Sequence, residues 1–365
     1  MRALTEPSRF SNLRNGAVIA ACCLIALTGC SYSPDSGYGM YGDGSVPVAV
    51  DRELPPIGGN RFTIAPGQDV VGQVQIVRAR YEDTFVDFAR AYGLGYDELV
   101  AANPGVDPWL PGQGMPIVLP TQHVLPQAPR EGVVLNVATK RLFYYPPAAD
   151  GEPLTVVTFP TGIGRAGWAT PTGETTVVAR IPDPIWFPPQ SVIDEHAAAG
   201  DPLPRRVPPG PDNPLGRHAI SLDIPGYLIH GTNKPAGVGM RVSHGCVRLY
   251  PEDIEYLFGE VSIGTPVRIV NQPYLLGRLD SELYFEAHVP LDEDDRSWSE
   301  LLLPRAERID SVPLGRDRRA RLRAIAAAGR GIPVPVERAD AVVLPVRYVT
   351  NILGDAEPAP EAAVN

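Results

Sequence analysis

Hydrophobic residues follow three different patterns along the chain, and each pattern predicts a different kind of structure. Residues 17–27 form an unbroken apolar run that is too short to span a bilayer permanently. Between residues 73 and 120, apolar residues at helical spacing lie between two short strand-like runs. From residue 131 to residue 270, short apolar segments are separated by turns rich in glycine and proline. The chain is therefore predicted to be mainly β with few short helices, its larger β domain being preceded by a small strand–helix–helix–strand unit.

The first thirty residues resemble the secretion signal of a bacterial lipoprotein. The apolar run follows three arginines and ends in Leu27-Thr28-Gly29-Cys30, which resembles a lipobox. This resemblance implies that residues 1–29 are removed and that Cys30 is lipidated. Because Ser31 is not aspartate, it further implies a periplasmic protein anchored to the outer membrane by its lipid. An ordinary signal peptide and an uncleaved anchor are the alternatives.

Composition narrows the remaining classes of protein. A chain of 365 residues that is 44% hydrophobic can bury at least two modest cores, and its 41 prolines and 36 glycines predict many turns and linkers. Residues 30–72, which begin with a stretch rich in Gly, Ser, Tyr, Pro and Asp, are expected to be a flexible tether. The formal net charge of −10 argues against non-specific binding of nucleic acid.

Residues 73–120 resemble a LysM domain, a small module that binds glycans containing N-acetylglucosamine. The matches are Asp83-Thr84, Tyr92-Gly93, Asn103-Pro104, Leu110-Pro111-Gly112 and Ile117-Leu119-Pro120. Glu82 departs from the family pattern, which usually has glycine before Asp-Thr. The resemblance implies glycan binding, and the alternative is a packing domain that never contacts sugar.

Cys246 is the strongest candidate for chemistry, because it is the only cysteine outside the first thirty residues. It comes two residues after His244 and sixteen residues after His230. A nearby imidazole can lower the pKa of a thiol or remove its proton, and either effect makes the sulfur a nucleophile. A buried structural cysteine is one alternative, and a zinc site is another. Because the close His-x-Cys spacing is unusual for zinc, no metal and no other cofactor is expected.

His230-Gly231 and Ser243-His244-Gly245-Cys246-Val247-Arg248, within their β pattern, resemble the signature of the L,D-transpeptidases, cysteine enzymes that remodel bacterial peptidoglycan. The resemblance covers about residues 130–271. The catalytic roles that it implies are nucleophile for Cys246, general base for His230, a wall of the oxyanion pocket or a substrate contact for His244, and backbone oxyanion donors around Gly245 and Cys246.

Three further residues are predicted to contact the substrate: Arg248, Ser243 and Gly231. The planar guanidinium of Arg248 suits a carboxylate of the stem peptide, although a structural ion pair is the alternative. Ser243 is expected to be a hydrogen-bond support or a turn residue. The resemblance also implies that the Gly231 carbonyl orients His230, which leaves open whether the resting site holds a neutral pair or a thiolate–imidazolium pair.

The flanking segments carry less information. The proline-rich stretch 182–216 is expected to form a lid or a binding wall, and its part 209–216 resembles the subgroup that attaches an outer-membrane lipoprotein to the cell wall. Residues 272–354 are predicted to be an extension with helices and one strand, 283–289, laid against the catalytic sheet. A basic run in residues 316–323 is expected to be a solvated helix face, and residues 355–365 are expected to be disordered.

The resemblance implies a transfer reaction on peptidoglycan tetrapeptide stems through a Cys246 thioester. The acceptor amine belongs either to a second stem, which gives a 3-3 cross-link, or to a lysine of a wall-attached lipoprotein. The alternatives are a hydrolase with the same site, acting as a carboxypeptidase or as an amidase, and a non-catalytic wall anchor. The lipid, the tether and the LysM-like unit are expected to concentrate the catalytic domain at the wall without altering its chemistry.

Overall fold

The computed structural model describes residues 60–149, 151–309, 315–337 and 346–353, and the structural statements below concern this part of the chain. The predicted signal peptide, Cys30, the tether as far as residue 59 and the predicted disordered tail lie outside it. Among the described helices, none is both long enough and apolar enough to cross a membrane.

The elements, numbered along the chain, fall into three groups. The first contains β1 (Arg61–Ile64), β2 (Val70–Gly72), β3 (Gln75–Arg78), α1 (Phe85–Ala91), α2 (Tyr96–Ala102), β4 (Pro116–Leu119) and β5 (Gln122–Val124). The second contains β6 (Gly132–Asn136), β7 (Arg141–Tyr145), β8 (Leu154–Pro160), β9 (Ile163–Gly164), β10 (Gly173–Pro182), α3 (Gln190–Ala198), β11 (His218–Leu222), β12 (Leu228–His230), β13 (Arg241–Ser243), β14 (Val247–Arg248), α4 (Pro251–Glu260) and β15 (Pro266–Val270). The third contains β16 (Tyr274–Leu279), β17 (Glu282–Ala287), α5 (Trp298–Ile309), α6 (Arg316–Ala328), β18 (Val334–Pro335) and β19 (Arg347–Val349).

A mixed sheet of nine strands forms the larger domain and confirms the mainly β prediction. Its strand order is β1-β8-β7-β6-β15-β10-β11-β12-β14, with parallel pairs only at β6–β15 and β12–β14. Side chains alternate across the sheet, so Val133 and Leu135 enter one core while Val134 enters a core on the opposite face. Ile254 and Leu257 of α4 cover the first of these cores. The sheet thereby brings β12 and β14, which carry the two sequence motifs, side by side.

The predicted tether is wrong from residue 60 onward. β1 pairs antiparallel with β8 and extends the main sheet, and β2 pairs antiparallel with β5. The physical reason is the apolar content of these segments, because Ile64, Val70 and Val71 are buried. Their burial stabilises the ordered strands and covers the edge of β8.

Residues 73–120 contain the predicted order of strand, helix, helix and strand, with β3 and β4 paired antiparallel. Thr84 caps α1 by accepting a hydrogen bond from the Asp87 N–H at 3.3 Å, and Asp87 Oδ2 accepts from the Thr84 N–H at 3.1 Å. Glu82 is exposed, so its departure from the LysM pattern does not disturb this fold. The strand β19 adds a third, parallel strand beside β3. We call residues 73–120 together with β19 the small unit.

The C-terminal extension differs from its prediction in one respect. The strand predicted at residues 283–289 forms as β17, but it pairs with β16 and β18 in a separate sheet instead of joining the catalytic sheet. The reason is a core of its own, in which Phe285 packs with Leu301, Leu302 and Leu322 of the two following helices. The basic run is only partly a solvated face, because Arg318 pairs with Glu337 and Arg323 lies over the Trp298 ring at 4.9 Å.

A buried ion pair joins the small unit to the catalytic sheet. Arg141 of β7 donates two hydrogen bonds to Glu98 of α2, at 2.9 and 2.8 Å, and their side chains are only 1% and 8% exposed. Its Nη1 donates to the hydroxyl of Thr158 at 2.9 Å, and its Nη2, which also bonds Glu98, donates to the Gly93 carbonyl at 3.1 Å. Because every charged atom is bonded, the pair can remain buried, and neither partner can be removed without leaving an unpaired charge.

Replacement of Glu98 by alanine should destabilise the protein strongly. Glu98→Ala leaves the Arg141 guanidinium buried without its carboxylate, which costs about 3–5 kcal/mol in comparable cases. The control is Asp97→Ala, which breaks the more exposed Lys140–Asp97 pair and should cost about 1 kcal/mol or less. Urea unfolding curves measure the free energy of unfolding of both variants. Equal losses would mean that the Arg141–Glu98 pair stabilises the protein no more than the Lys140–Asp97 pair does.

Candidate active site

Cys246 and His230 line one cleft at the end of the main sheet. Its volume is about 350 Å³. The polar wall consists of Ser243, His244, Cys246, Arg248 and His230, and the opposite wall comes from the proline-rich stretch 182–216, with Ile185, Trp186, Phe187, Pro189, Val192, Pro214 and Leu215. The predicted lid or binding wall is therefore present, and we call residues 182–216 the lid.

The two motifs meet because β12 and β14 are parallel neighbours. Ile229 lies opposite Val247, and His230 lies opposite Arg248. Cys246 comes directly before β14, where the Leu228 N–H interacts with its sulfur and the Gly226 carbonyl accepts its S–H at 3.6 Å. The sheet register thus places the thiol beside the strand that ends in His230.

The orientation of His230 is fixed by the residue that follows it. His230 Nδ1 lies 2.6 Å from the Gly231 carbonyl oxygen, and because a carbonyl only accepts, Nδ1 must carry the hydrogen. The other ring nitrogen, Nε2, is then the basic one in the neutral imidazole. Gly231 also donates its N–H to the His218 carbonyl at 3.1 Å and is buried. Gly231 therefore orients the imidazole, as the resemblance implied, and its buried position outside the cleft lining gives no support to its prediction as a substrate contact.

Burial determines the charge state of the pair. The loss of hydration lowers the pKa of His230 to about 4, with the positive charge of Arg248 acting in the same direction. Burial raises the pKa of the Cys246 thiol, although the Leu228 N–H and Arg248 act in the opposite direction. Both shifts favour the uncharged forms at neutral pH, so the resting site holds a thiol and a neutral imidazole.

Ser243 and Gly245 shape the loop that presents Cys246. The Ser243 hydroxyl donates to the Cys246 carbonyl at 2.5 Å and accepts from the Gly245 N–H at 3.2 Å. Thr170 Oγ1 donates to the Gly245 carbonyl at 2.9 Å. Ser243 is thus the predicted hydrogen-bond support and not a free substrate contact. The Gly245 N–H is not a free oxyanion donor either, since Ser243 already accepts its hydrogen.

Gly245 is required for its conformation. Its φ is +104°, and a Cβ atom there would lie 3.1 Å from the Tyr227 ring. In the described part of the chain, the N–H of Cys246 has no acceptor. Of the two predicted oxyanion donors, the backbone N–H of Cys246 is therefore the one that is available, and its role stays a prediction.

Arg248 lines the cleft without a carboxylate partner among the described residues. Its Nε is buried and makes no hydrogen bond. The structural ion pair that was the alternative for Arg248 is therefore not found in residues that the structure describes. An unpaired guanidinium inside a cleft is suited to bind an anionic group of a ligand.

His244 is engaged on the side of the lid. Its Nε2 lies 3.1 Å from a carboxylate oxygen of Glu195 and 3.1 Å from Nη2 of Arg165, and Arg165 also pairs with Glu195. The ring packs edge-on against Trp168, with centroids 5.0 Å apart. Hydrogen bonds from Arg165 and His244 lower the pKa of Glu195 to about 2, so this carboxylate stays ionised at neutral pH. His244 therefore forms a wall of the site, as predicted, and also holds the lid.

No motif or periodicity in the sequence indicates a role for Arg165, Trp168 or Glu195. Glu195 lies in α3, inside a proline-rich stretch without apolar periodicity, and Arg165 lies in a turn between β9 and β10. Sequence periodicity identifies residues that lie in the same helix or strand, whereas these three residues come together only through tertiary contacts. Within the described residues, no group of three or more His, Cys, Asp or Glu side chains is arranged to hold a metal ion.

Removal of the Glu195 charge should open the lid. Glu195→Gln weakens the contacts of α3 with Arg165 and His244, which are individually weak because the carboxylate is exposed to solvent. Iodoacetamide should then label Cys246 roughly two- to fivefold faster, measured by mass spectrometry of the peptide that contains it. Asp201→Asn, which removes the same charge from the partner of His196, should leave the labelling rate unchanged. Equal rates in Glu195→Gln and the wild type would mean that α3 does not restrict access.

Comparisons with known proteins agree with this site. The family model of the YkuD type, an L,D-transpeptidase catalytic domain, matches residues 130–269. The chain is 41% identical over 251 residues to the probable L,D-transpeptidase ErfK/SrfK of Salmonella typhimurium, covering 68% of this chain and 77% of that one. It is 43% identical over 236 residues to the probable L,D-transpeptidase YbiS of Escherichia coli, covering 64% and 76%.

A solved structure, an L,D-transpeptidase from Mycobacterium smegmatis, is 22% identical, with 38% of this chain and 58% of that chain covered and a TM-score of 0.30. The sequence relatives alone decide the family, because they are 41% and 43% identical to this chain over about three quarters of their own length. The chain belongs to the L,D-transpeptidase family and carries a catalytic domain of the YkuD type.

Proposed function

We propose that this protein catalyses L,D-transpeptidation on peptidoglycan stems through a thioester at Cys246. The observation that carries the proposal is the 2.6 Å contact of His230 Nδ1 with the Gly231 carbonyl. This contact leaves Nε2 as the base in the cleft that also contains the thiol. The family makes peptidoglycan the substrate, and the geometry supports Cys246 as nucleophile and His230 as general base.

The first half-reaction forms the thioester. The Cys246 sulfur attacks the carbonyl of the third, diaminopimelate residue of a tetrapeptide stem while His230 Nε2 takes the thiol proton. The Cys246 N–H stabilises the oxyanion, and His230 returns the proton to the terminal D-alanine as its amide bond breaks. Arg248, which has no protein carboxylate beside it among the described residues, binds a carboxylate of the stem.

The second half-reaction transfers the acyl group to an amine. The amine attacks the thioester, a new amide bond forms, and the proton passes through His230 back to the sulfur. The apolar wall of the lid, which includes Trp186, Phe187 and Val192, supports transfer over hydrolysis because it excludes water from the thioester. We propose a second stem or a lysine of a wall-attached lipoprotein as the acceptor. Hydrolysis by the same site is the competing function.

We also propose that the protein is a periplasmic lipoprotein, anchored through Cys30, and that the small unit binds the glycan of the wall. The lipobox-like sequence supports the anchor, although it lies outside the described residues. Tyr81 and Trp109 support glycan binding, because these aromatic side chains on the loops of the small unit are 75% and 59% exposed. Aromatic rings exposed to solvent are typical of surfaces that bind a ligand.

The nucleophile is tested by replacement of its sulfur. Cys246→Ser should abolish the release of D-alanine from tetrapeptide stems while the fold is retained, because a serine hydroxyl is a far weaker nucleophile beside one imidazole. The wild type should gain the mass of one carbapenem at Cys246, and Cys246→Ser should gain none. Full activity of Cys246→Ser would contradict the thioester mechanism.

The two histidines should differ in their effect on catalysis. His230→Ala removes the general base and should reduce the acylation rate by roughly 10²- to 10⁴-fold. His244→Ala should reduce it less, because His244 forms a wall and contacts the lid through Glu195. Stopped-flow measurements of carbapenem acylation give both rates, and an equal loss in the two variants would mean that the base is assigned wrongly.

Glycan binding is tested without removing the small unit. Trp109→Ala should weaken co-sedimentation with purified sacculi several-fold while leaving carbapenem acylation unchanged, since Trp109 is exposed and outside the cleft. Leu110→Ala, an exposed aliphatic neighbour, serves as the control for a general loss of apolar surface. If Trp109→Ala sediments as the wild type does, the small unit is a packing element at this surface.

A further inference from the structure

The small unit touches the segment that joins the two catalytic motifs. This connecting loop, residues 231–240, runs from the end of β12 to the start of β13. The Tyr96 N–H donates to the Val238 carbonyl at 3.3 Å. At the next residue, Gly239, a Cβ atom would lie 2.3 Å from Gly95 Cα. The two backbones are therefore in direct contact, and only glycine fits between them.

The same part of the small unit also contacts the chain after Cys246. The hydroxyl of Tyr250, which is buried, donates to the Leu94 carbonyl at 3.2 Å. Leu94, Gly95 and Tyr96 thus contact residues on both sides of the Ser243–Cys246 motif. The contacted residues thus lie before and after Cys246 in the sequence, and Cys246 itself is not among them.

This contact point of the small unit is itself held rigidly. Glu98 Oε2 accepts the Gly95 N–H at 2.6 Å, and the same carboxylate pairs with Arg141 of the sheet. The other side of the connecting loop is fixed by the Ile163 N–H, which donates to the Met240 carbonyl at 3.0 Å. The loop therefore lies between two fixed surfaces, one from β9 and one from the small unit.

We propose that the small unit is a positioning element of the transpeptidase site, and that Gly95 and Gly239 are its positioning residues. Their contact sets the path of the connecting loop and so the place of Cys246 relative to His230. Proton transfer and attack require the Cys246 sulfur and the His230 imidazole to be held within a few tenths of an ångström of their productive positions. A displacement of about 1 Å can reduce a rate about 100-fold. This inference rests on the proposed roles of Cys246 and His230, and it assigns the small unit a function beyond wall binding.

The test compares four glycine-to-alanine variants. In two of them the new methyl group lies against backbone atoms at the contact, and in the other two it lies in open space. Gly95→Ala, at an ordinary φ of −88°, brings a Cβ atom to 2.8 Å from Gly239 Cα, and Gly239→Ala brings one to 2.3 Å from Gly95 Cα at a φ of +86°. Gly259→Ala controls for the first, since its Cβ meets nothing within 4 Å. Gly264→Ala controls for the second, with a φ of +89° and equally open space.

The readout is carbapenem acylation of Cys246 in the full chain, resolved into a limiting rate and a half-saturating concentration. It is measured at a temperature at which melting curves show each variant to be folded. We expect a limiting rate roughly 10- to 100-fold lower in Gly95→Ala and Gly239→Ala, an unchanged half-saturating concentration, and wild-type behaviour in both controls. A merely structural contact would lower the melting temperature and leave the limiting rate of the folded protein unchanged.

Two outcomes overturn the proposal, and they are distinguishable. Wild-type limiting rates in folded Gly95→Ala and Gly239→Ala would mean that the contact does not position the nucleophile. A wild-type protein that no carbapenem acylates would instead remove the proposed nucleophile, and the positioning role with it. If Gly239→Ala does not fold, Gly95→Ala decides alone, because alanine is unstrained at its φ.

Discussion

The buried ion pair between Arg141 and Glu98 makes the small unit and the catalytic sheet one body. Two charges can be withdrawn from water only if each satisfies the other, so the position of α2 on β7 is fixed by this requirement. Through Glu98, the pair also holds Gly95 against the connecting loop. The expectation that residues 73–120 concentrate the catalytic domain at the wall stays a prediction, but their removal would also leave Arg141 buried without its partner.

A second consequence of burial concerns how the thiol becomes reactive. Loss of hydration favours the neutral forms of both Cys246 and His230, and the Gly231 carbonyl, which carries no full charge, orients the imidazole. In the proposed mechanism the proton then leaves the sulfur as the sulfur attacks, so the reaction would depend on geometry more than on a stored thiolate. A thiol that is neutral at rest is also less readily oxidised than a thiolate.

The parts of the fold that the sequence predicts are those whose signal is local. The periodicity of residues 73–120 and the spacing of His230 and Cys246 both lie within short segments, and both led to the correct elements and cleft. Residues brought in by tertiary contacts escaped prediction: Glu195 approaches His244 from the lid, and the Arg141 side chain is buried because of a partner 43 positions away. The resemblance already implied that the Gly231 carbonyl orients His230, whereas the bonds that make Ser243 a support of the Cys246 loop are visible only in the folded chain.

The charge state of Cys246 is the most direct test of whether the resting site holds a neutral thiol and a neutral imidazole. The ultraviolet absorbance of the thiolate, measured as wild type minus Cys246→Ser across a pH titration, reports this one sulfur even though the full chain has 4 cysteines. We expect no thiolate absorbance at neutral pH and an increase in this absorbance only in alkaline solution, because burial raises the pKa of the Cys246 thiol. A thiolate signal already present at neutral pH, and lost only on acidification, would show a preformed ion pair with His230 and contradict the account.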